Sequence, residues 1–231
     1  SSDLVGPGNR WVTAAKQIIS GRIGIDMLAG PSELMIVADD SADPTTVAAD
    51  LLAQAEHDPE ALPVLISLSR DMIDHVNTEL EKGLASLPEE NRATAEPALS
   101  NGYAVYADSL DTAVRIANTH APEHLELLLK NAKDVAHLFK ECGGLFIGSL
   151  AAEVIGDYGA GPNHTLPTGG TARHKGGLSV LNFLRVRTWI HIEDPLAAQA
   201  VYKDATKLGR IEGLEGHARS AEARLIISEV S

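Results

Sequence analysis

The chain has 231 residues, of which 44% are hydrophobic and 22% charged, a composition typical of a globular protein with a substantial core. Its 19 basic and 32 acidic residues give a formal net charge of −13, so repulsion from phosphate backbones argues against nucleic-acid binding. The single cysteine, Cys142, excludes a disulfide framework within this chain and agrees with a reducing compartment. Since no apolar run approaches the roughly 18 residues of a membrane span, we expect a soluble, cytoplasmic protein without membrane association.

The start of the chain reads as a short strand followed by a glycine turn and a helix. After the Gly-Pro-Gly-Asn turn at residues 6–9, apolar side chains recur at helical spacing from Trp11 to Ile19. A strand, a turn and a helix form a fragment of a βα unit, and the sequence has no initiator methionine. We therefore expect partner strands upstream and a chain that is the C-terminal part of a longer one.

Between residues 34 and 148, short apolar runs alternate with amphipathic stretches. The predicted strands are 34–38, 64–68, 103–106, 124–129 and 145–147. The predicted helices are 44–57, 71–87, 110–118 and 131–140, the first of them with Asp43 as N-cap and Pro44 at its first position. Strand–helix alternation with crossovers of this length predicts an α/β fold, in which helices cover a mostly parallel sheet.

Two changes in composition follow the predicted sheet. Residues 143–177 hold ten of the 20 glycines of the chain, and a long glycine-rich loop inside a compact protein is usually functional or disordered. Residues 178–187 and 195–225 are predicted to be helical, with an interruption at 209–216. This tail is too short to form its own core, so we expect it to pack on something else.

Gln54 and His57 are the first candidates for chemistry, because they lie three residues apart near the end of a predicted helix. Side chains at this spacing share one helix face, and such a pair can hold one metal ion with the imidazole as a good zinc ligand. A histidine favoured at a helix C-terminus by the macrodipole is an equally simple interpretation of His57.

Glu123 and His124 stand where a predicted helix gives way to a strand. The ends of strands in open α/β sheets are places where ligands bind, and a histidine that titrates near neutrality suits general acid–base chemistry. A capping glutamate and a half-buried histidine would explain the same residues without any function.

Three further positions carry weaker signals. Asp157 lies among glycines and could offer a hard oxygen ligand, although aspartate is also common in turns. His217, in the tail, follows a bend-prone glycine stretch, and a solvated helix start explains it as well. Asn9 ends a turn before a helix, where backbone N–H groups can bind phosphate.

Taken together, these segments resemble the histidinol dehydrogenase family, NAD-dependent zinc enzymes that complete histidine biosynthesis. The matching stretches are VGPGN (5–9), IDMLAGPSE (25–33), DLLAQAEHDP (50–59), APEHLEL (121–127), GDYGAGPNHTLPTGGTAR (156–173) and EGLEGHARS (212–220). They follow the family order along nearly the whole chain but cover only about the second half of a family member. The resemblance therefore implies that the N-terminal part of the family fold, with most of its nucleotide-binding domain, is missing here.

The resemblance also implies a role for each matching residue. The implied zinc ligands are Gln54, His57, Asp157 and His217. The implied catalytic pair is Glu123 and His124, and Asn9 matches a residue that contacts NAD. The implied substrate-binding residues are Ser32, Gln54, His57, Glu123, His124, Asp157, Glu212 and His217.

The organisation implied by the resemblance has three parts. Residues 1–33 would be the remnant of a nucleotide-binding Rossmann-like domain, 34–172 a Rossmann-like zinc and substrate domain, and 173–231 a helical tail domain. The tail would reach across a homodimer, so that each chain completes the site of its partner. The implied reaction is a two-step oxidation of L-histidinol through L-histidinal to L-histidine, with Zn2+ and two molecules of NAD.

Other functions stay open at this stage. A related zinc and NAD alcohol dehydrogenase that acts on a sulfonated propanediol would suit the basic residues Arg173 and Lys175, whereas Ser32 and Glu212 favour an amino alcohol. A second possibility is a catalytically incomplete half-protein that binds zinc and dimerises without turnover. A binding module for an unknown ligand requires that all six motif matches be accidental.

Overall fold

The computed structural model describes residues 3–6 and 8–226. The chain forms two compact units, Ser1–Leu184 and Arg185–Ser231, which are described separately below. The division at residues 33 and 172 that the resemblance implies stays a prediction. None of the helices in the described ranges is long and apolar enough to cross a membrane.

The first unit begins with the strand–turn–helix that the sequence predicts. Strand β1 (Asp3–Leu4) is followed by helix α1 (Arg10–Ile19) and strand β2 (Gly24–Ile25). The side-chain oxygen of Asn9 accepts hydrogen bonds from the backbone N–H groups of Trp11 and Val12 and so caps α1. β1 pairs in parallel with β2, which lies downstream, and additional pairing to upstream strands stays a prediction.

A five-stranded parallel sheet forms the centre of this unit. Its strands are β3 (Glu33–Ala38), β4 (Leu62–Ser67), β5 (Tyr103–Tyr106), β6 (His124–Leu128) and β7 (Gly144–Ile147), in the spatial order β5-β4-β3-β6-β7. All four pairings are parallel, which confirms the predicted fold class. β3 occupies the middle of the sheet, and each of its six residues is buried.

Helices cover both faces of the sheet. They are α2 (Pro44–Ala55), α3 (Arg70–Ser86), α4 (Glu89–Asn101), α5 (Leu110–His120), α6 (Ala132–Val135) and α7 (Glu153–Asp157). Leu34 and Ile36 of β3 pack in one core with α2 and α3, whereas Met35 and Val37 pack in the opposite core with α5. The two cores follow from the period-two alternation of side chains along a strand.

Two details of the predicted helices need correction. The sequence does not predict helix α4, because residues 89–101 are strongly polar and include Pro97. The helix is nevertheless formed, and Ala95 and Ala98 are buried on one of its faces. The predicted helix 131–140 is wrong in its length, since α6 ends at Val135 and continues only as a 3-10 turn, Ala136–Leu138.

The second unit consists mainly of two helices, α8 (Gln199–Ile211) and α9 (Glu215–Glu222). They pack against each other so closely that a Cβ on Gly209 would lie 2.9 Å from the backbone nitrogen of Ala218. The predicted helical region 195–225 with its glycine interruption is therefore confirmed in outline. The predicted helix 178–187, which straddles the boundary of the units, is wrong, because it forms only a 3-10 turn over Val180–Phe183.

A buried ion pair fixes the loop that follows β1. Lys16 Nζ lies 2.7 Å from Asp26 Oδ1 and also donates to the Gly6 carbonyl, while Asp26 Oδ2 accepts from the Gly6 N–H. Burial alone would raise the pKa of Asp26, but the bonds from Gly6, Lys16 and Met27 outweigh it and lower that pKa. The side chains of the pair are only 7% and 0% exposed, so the pair is nearly sealed from water.

We expect Lys16→Met to lower the free energy of unfolding by about 3 kcal/mol, since it leaves the Asp26 carboxylate buried without its cation. Lys82→Met is the matched control, because Lys82 and Glu79 lie at the same 2.7 Å but are 65% and 28% exposed. That control should cost less than about 1 kcal/mol. Denaturant unfolding measures both, and equal effects of the two substitutions would contradict the role given to Lys16.

Candidate functional site

The candidate residues of the first unit gather at the amino ends of the two central strands. Ser32 immediately precedes β3, and Glu123 and His124 lie at the start of β6, where Leu34 pairs with His124. Ligands of open α/β sheets usually bind at the carboxyl ends of the strands. The candidate residues therefore lie at the opposite ends of the strands from the usual ones, and a ligand site there stays a prediction.

The Glu123 carboxylate is buried and held by two donors. Its Oε2 atom accepts hydrogen bonds from Ser32 Oγ at 2.9 Å and from the Glu33 N–H at 3.0 Å. Burial raises the pKa of Glu123 to about 7, and the carboxylates of Glu33 and Glu153 add to the increase, while the two donors oppose it. Glu123 is thus poised to take or release a proton near neutral pH.

The His124 ring is fixed in one tautomer by the backbone. Its Nδ1 lies 3.0 Å from the Glu33 carbonyl oxygen, so Nδ1–H donates and Nε2 keeps a free lone pair. Nε2 lies 3.6 Å from Glu153 Oε1. Burial lowers the pKa of His124, although the bond to Glu33 and the charge of Asp157 oppose it, and the ring is therefore neutral and basic at Nε2.

Three ligand-type side chains converge next to this histidine. His57, Glu153 and Asp157 each offer one ligand atom, and these atoms all lie within 4.8 Å of one another. The structure therefore brings together two of the residues singled out in the sequence, His57 and Asp157. Burial, together with the carboxylates of Asp157 and Asp50, raises the pKa of Glu153 to about 7.

Glu153 is the functional candidate that sequence reasoning missed. It lies four residues before Asp157 on α7, and this spacing places both carboxylates on one helix face. That i, i+4 pair of acids was the available signal. It was weak because nothing in the sequence shows that the first of the two acids is buried.

Gln54 has the most unusual environment of the candidates. Its side chain is 0% exposed, and neither its Oε1 nor its Nε2 atom has a hydrogen-bond partner among the described residues. A buried polar group without a hydrogen-bond partner lowers the stability of the fold by about 1–3 kcal/mol, so such a group usually has a partner in the functional state. Gln54 lies on α2, one turn before His57, and α2 packs against α7.

This donor set fits a zinc ion. The cluster combines an imidazole nitrogen with carboxylate oxygens, and zinc accepts nitrogen and oxygen ligands of these kinds. The unpartnered Gln54 amide lies one helical turn before His57. A cation would satisfy the buried Gln54 amide oxygen and balance the clustered negative charge of Glu153 and Asp157.

Two neighbouring cavities flank the pair formed by Glu123 and His124. The larger, of about 770 Å³, is lined by residues that include Asn9, Ser32, His57 and Glu123. The smaller, of about 270 Å³, is lined by residues that include His124, Glu153 and Asp157. His164 and Leu166 line both cavities, so the two spaces are neighbours.

The two remaining candidates lie in the second unit. Glu212 follows the last turn of α8, and His217 lies on α9; both side chains are exposed. His217 lines a shallow depression of that unit together with Tyr202 and Arg224. A role for Glu212 and His217 in a metal or substrate site stays a prediction.

The fold and the site define an α/β protein in which a buried acid–base pair adjoins a candidate metal cluster. The family model described as histidinol dehydrogenase matches residues 1–225. The chain belongs to the histidinol dehydrogenase family.

Individual relatives agree with this assignment. The chain is 47% identical over 221 residues to histidinol dehydrogenase of Thermus thermophilus, covering 96% of this chain and 53% of the relative. It is 46% identical to histidinol dehydrogenase of Lactiplantibacillus plantarum, covering 96% of this chain and 51% of the relative. The crystal structure of histidinol dehydrogenase from Elizabethkingia anophelis superposes with a TM-score of 0.89 at 35% identity, covering 97% of this chain and 51% of that one. The chain thus spans about half the length of these relatives.

Proposed function

We propose that this chain supplies the zinc- and substrate-binding part of a histidinol dehydrogenase, which oxidises L-histidinol through L-histidinal to L-histidine with two molecules of NAD. The single observation that carries the proposal is the position of the buried Glu123–His124 pair beside the converging side chains of His57, Glu153 and Asp157. Family membership supports the substrate, since the matched relatives are named for it.

Gln54, His57 and Asp157 would hold the zinc ion, and His217 would be supplied by the tail of a second copy in a homodimer. A catalytic zinc must also keep a position open for substrate beside its protein ligands. When bound, zinc would serve mainly as a template that binds the imidazole and amino nitrogens of the amino alcohol. Ser32 and the second copy's Glu212 would contact the substrate.

His124 would accept the proton of the alcohol hydroxyl at Nε2 while a hydride leaves the carbon that bears this hydroxyl and passes to NAD. The hydrogen bond from Nδ1–H to the Glu33 carbonyl supports this role, because it holds the ring still and keeps Nε2 unprotonated. Glu153, 3.6 Å from Nε2, would stabilise the imidazolium that results. Base catalysis of this kind contributes roughly 10²–10⁴-fold to the rate.

Glu123 would act in the second half of the reaction, with His124. Water adds to the aldehyde and gives a hydrate, from which a second hydride leaves for the second NAD and yields the carboxylate. A carboxyl with a pKa of about 7 can take the proton from the attacking water and pass it on. Ser32 Oγ and the Glu33 N–H fix its orientation during the transfer.

NAD would bind mainly to the half of the family fold that this chain does not match. This chain would contribute Asn9, which lines the larger cavity. The oxygen of Asn9 is occupied in capping α1, so its amide N–H₂ group is the part available to the nucleotide. Arg173 donates to the Thr119 carbonyl, and this engagement gives no support to a sulfonate-binding role.

The proposal is tested in two stages. Calorimetry on this chain should give one zinc site, with weak or no NAD binding. Joined to the remaining half of the family fold, the chain should form NADH with L-histidinol and not with dihydroxypropanesulfonate.

Absence of zinc binding would overturn the metal site. NADH formation only with the sulfonate would overturn the substrate, and zinc binding without turnover in the joined protein would show a non-catalytic module.

A further inference from the structure

Glu126 is a third buried acid on the strand that begins with His124, and the function proposed above does not use it. It is 1% exposed and shares the sheet face of His124, because the two residues lie two apart on β6. Asp50, on α2, faces it across this side of the sheet. Both acids lie within the family motifs of the sequence, where neither had an assigned role.

The two oxygens of Glu126 have different partners. Oε1 accepts the backbone N–H of Glu153 at 2.6 Å, and this N–H opens α7. The preceding residue, Ala152, makes no side-chain capping bond in the described structure, so Glu126 takes the place of the missing cap. One side chain of β6 therefore anchors the helix that carries Glu153 and Asp157.

The second oxygen, Oε2, needs a proton. It is buried, and no donor of the described residues points at it. The side chain that faces Glu126 here is Asp50, and an ionised carboxyl can only accept a hydrogen bond. A bond between these two groups therefore requires one proton, carried by Glu126 and donated to Asp50.

We propose that Glu126, as a neutral acid bonded to both α7 and Asp50, is a positioning residue that sets the distance between α2 and α7. This inference rests on the proposed function, because α2 carries Gln54 and leads into His57, whereas α7 carries Asp157. The bridge Asp50–Glu126–Glu153 N–H joins the two helices that would share the zinc ion. Outer contacts of this kind orient the ligands themselves.

The surroundings of Glu126 favour its neutral form. Burial raises the pKa of Glu126 to about 8, and the negative charge of Asp50 and the hydrogen bond to it add to the increase. A neutral Glu126 also avoids placing a further charge beside Glu153, whose own carboxyl already faces Asp157.

Zinc affinity of the metal-free chain, measured by competition with a chromophoric chelator, tests the bridge. Glu126→Gln keeps an oxygen for Glu153 N–H and offers an N–H to Asp50, so its affinity should stay within about 3-fold of the wild type. Glu126→Leu keeps the bulk but loses both bonds, and its affinity should fall by about 10–100-fold. Ser67→Ala, which removes buried hydrogen bonds on β4, is the control and should leave zinc affinity unchanged.

Hydrogen exchange of the metal-free chain separates this inference from the proposed function. The amides of Glu153–Asp157 should exchange slowly in the wild type and in Glu126→Gln, and about 10-fold faster in Glu126→Leu. Equal exchange in all three proteins, or a glutamine variant that behaves like the leucine variant, would overturn the bridge. A wild type that binds no zinc but shows this exchange pattern would overturn the proposed function and leave the bridge standing.

Discussion

Replacing His124 by asparagine should lower the turnover of L-histidinol by roughly 10²–10⁴-fold in the protein joined to the remaining half of the family fold. The expected loss follows because Nε2 is the unprotonated nitrogen of a ring that lines the smaller cavity. Asparagine can still bond the Glu33 carbonyl, but it cannot accept the proton of the alcohol at neutral pH. Zinc affinity should stay within a few-fold, because His124 is not a member of the converging cluster.

The control for this prediction is His75→Asn, the same substitution at an exposed position of α3. Steady-state NADH formation measures turnover, and chelator competition measures zinc affinity. An unchanged turnover number for His124→Asn would remove His124 from the mechanism. A loss of zinc together with turnover would instead assign it to the metal site.

Replacing Gln54 by leucine should have two effects of opposite sign. The metal-free chain should become more stable by about 1–3 kcal/mol, because leucine removes two buried polar atoms that lack partners. Zinc affinity should fall by at least about 10–100-fold, the loss expected for an outer contact and a lower bound for a ligand. A Gln54 that does not bind the ion would show the gain in stability but no loss of zinc affinity.

Gln199→Leu provides the matched control in the second unit. The amide of Gln199 is fully engaged, since Nε2 donates to the Pro195 carbonyl and Oε1 accepts from the Ile226 N–H. The substitution should therefore bring no gain in stability and no change in zinc affinity. Denaturant unfolding measures the stability of both variants, and chelator competition measures their zinc affinity. A Gln54→Leu protein with unaltered zinc affinity would contradict the ligand role.

The sheet was predictable from sequence because its strands are short apolar runs between polar helices. β3 is the clearest case, since its apolar run, residues 34–38, lies between the acids Glu33 and Asp39 and has the length of a buried strand. The region 178–187 shows the limit of periodicity. Val180, Leu181 and Leu184 have helical spacing but stay exposed, and an apolar face stabilises a helix only when it packs.

The candidate site was predictable only in part. Motif residues such as His57 and Asp157 carried a clear signal. Glu153 carried only the weak signal of its spacing from Asp157, and Glu126 and Asp50 lie in motifs that give them no role. The importance of these acids arises from burial and from partners that are distant along the chain, such as Glu126 and the Glu153 N–H. No local pattern encodes such pairings, because an acid on a strand or helix is usually solvated.

Anomalous diffraction at the zinc absorption edge, from crystals of this chain grown with zinc, tests the central claim most directly. We predict a single strong peak at about 2.0–2.2 Å from His57, Asp157 and Gln54 ligand atoms. A peak at exposed histidines alone, or no peak between α2 and α7, would contradict the account.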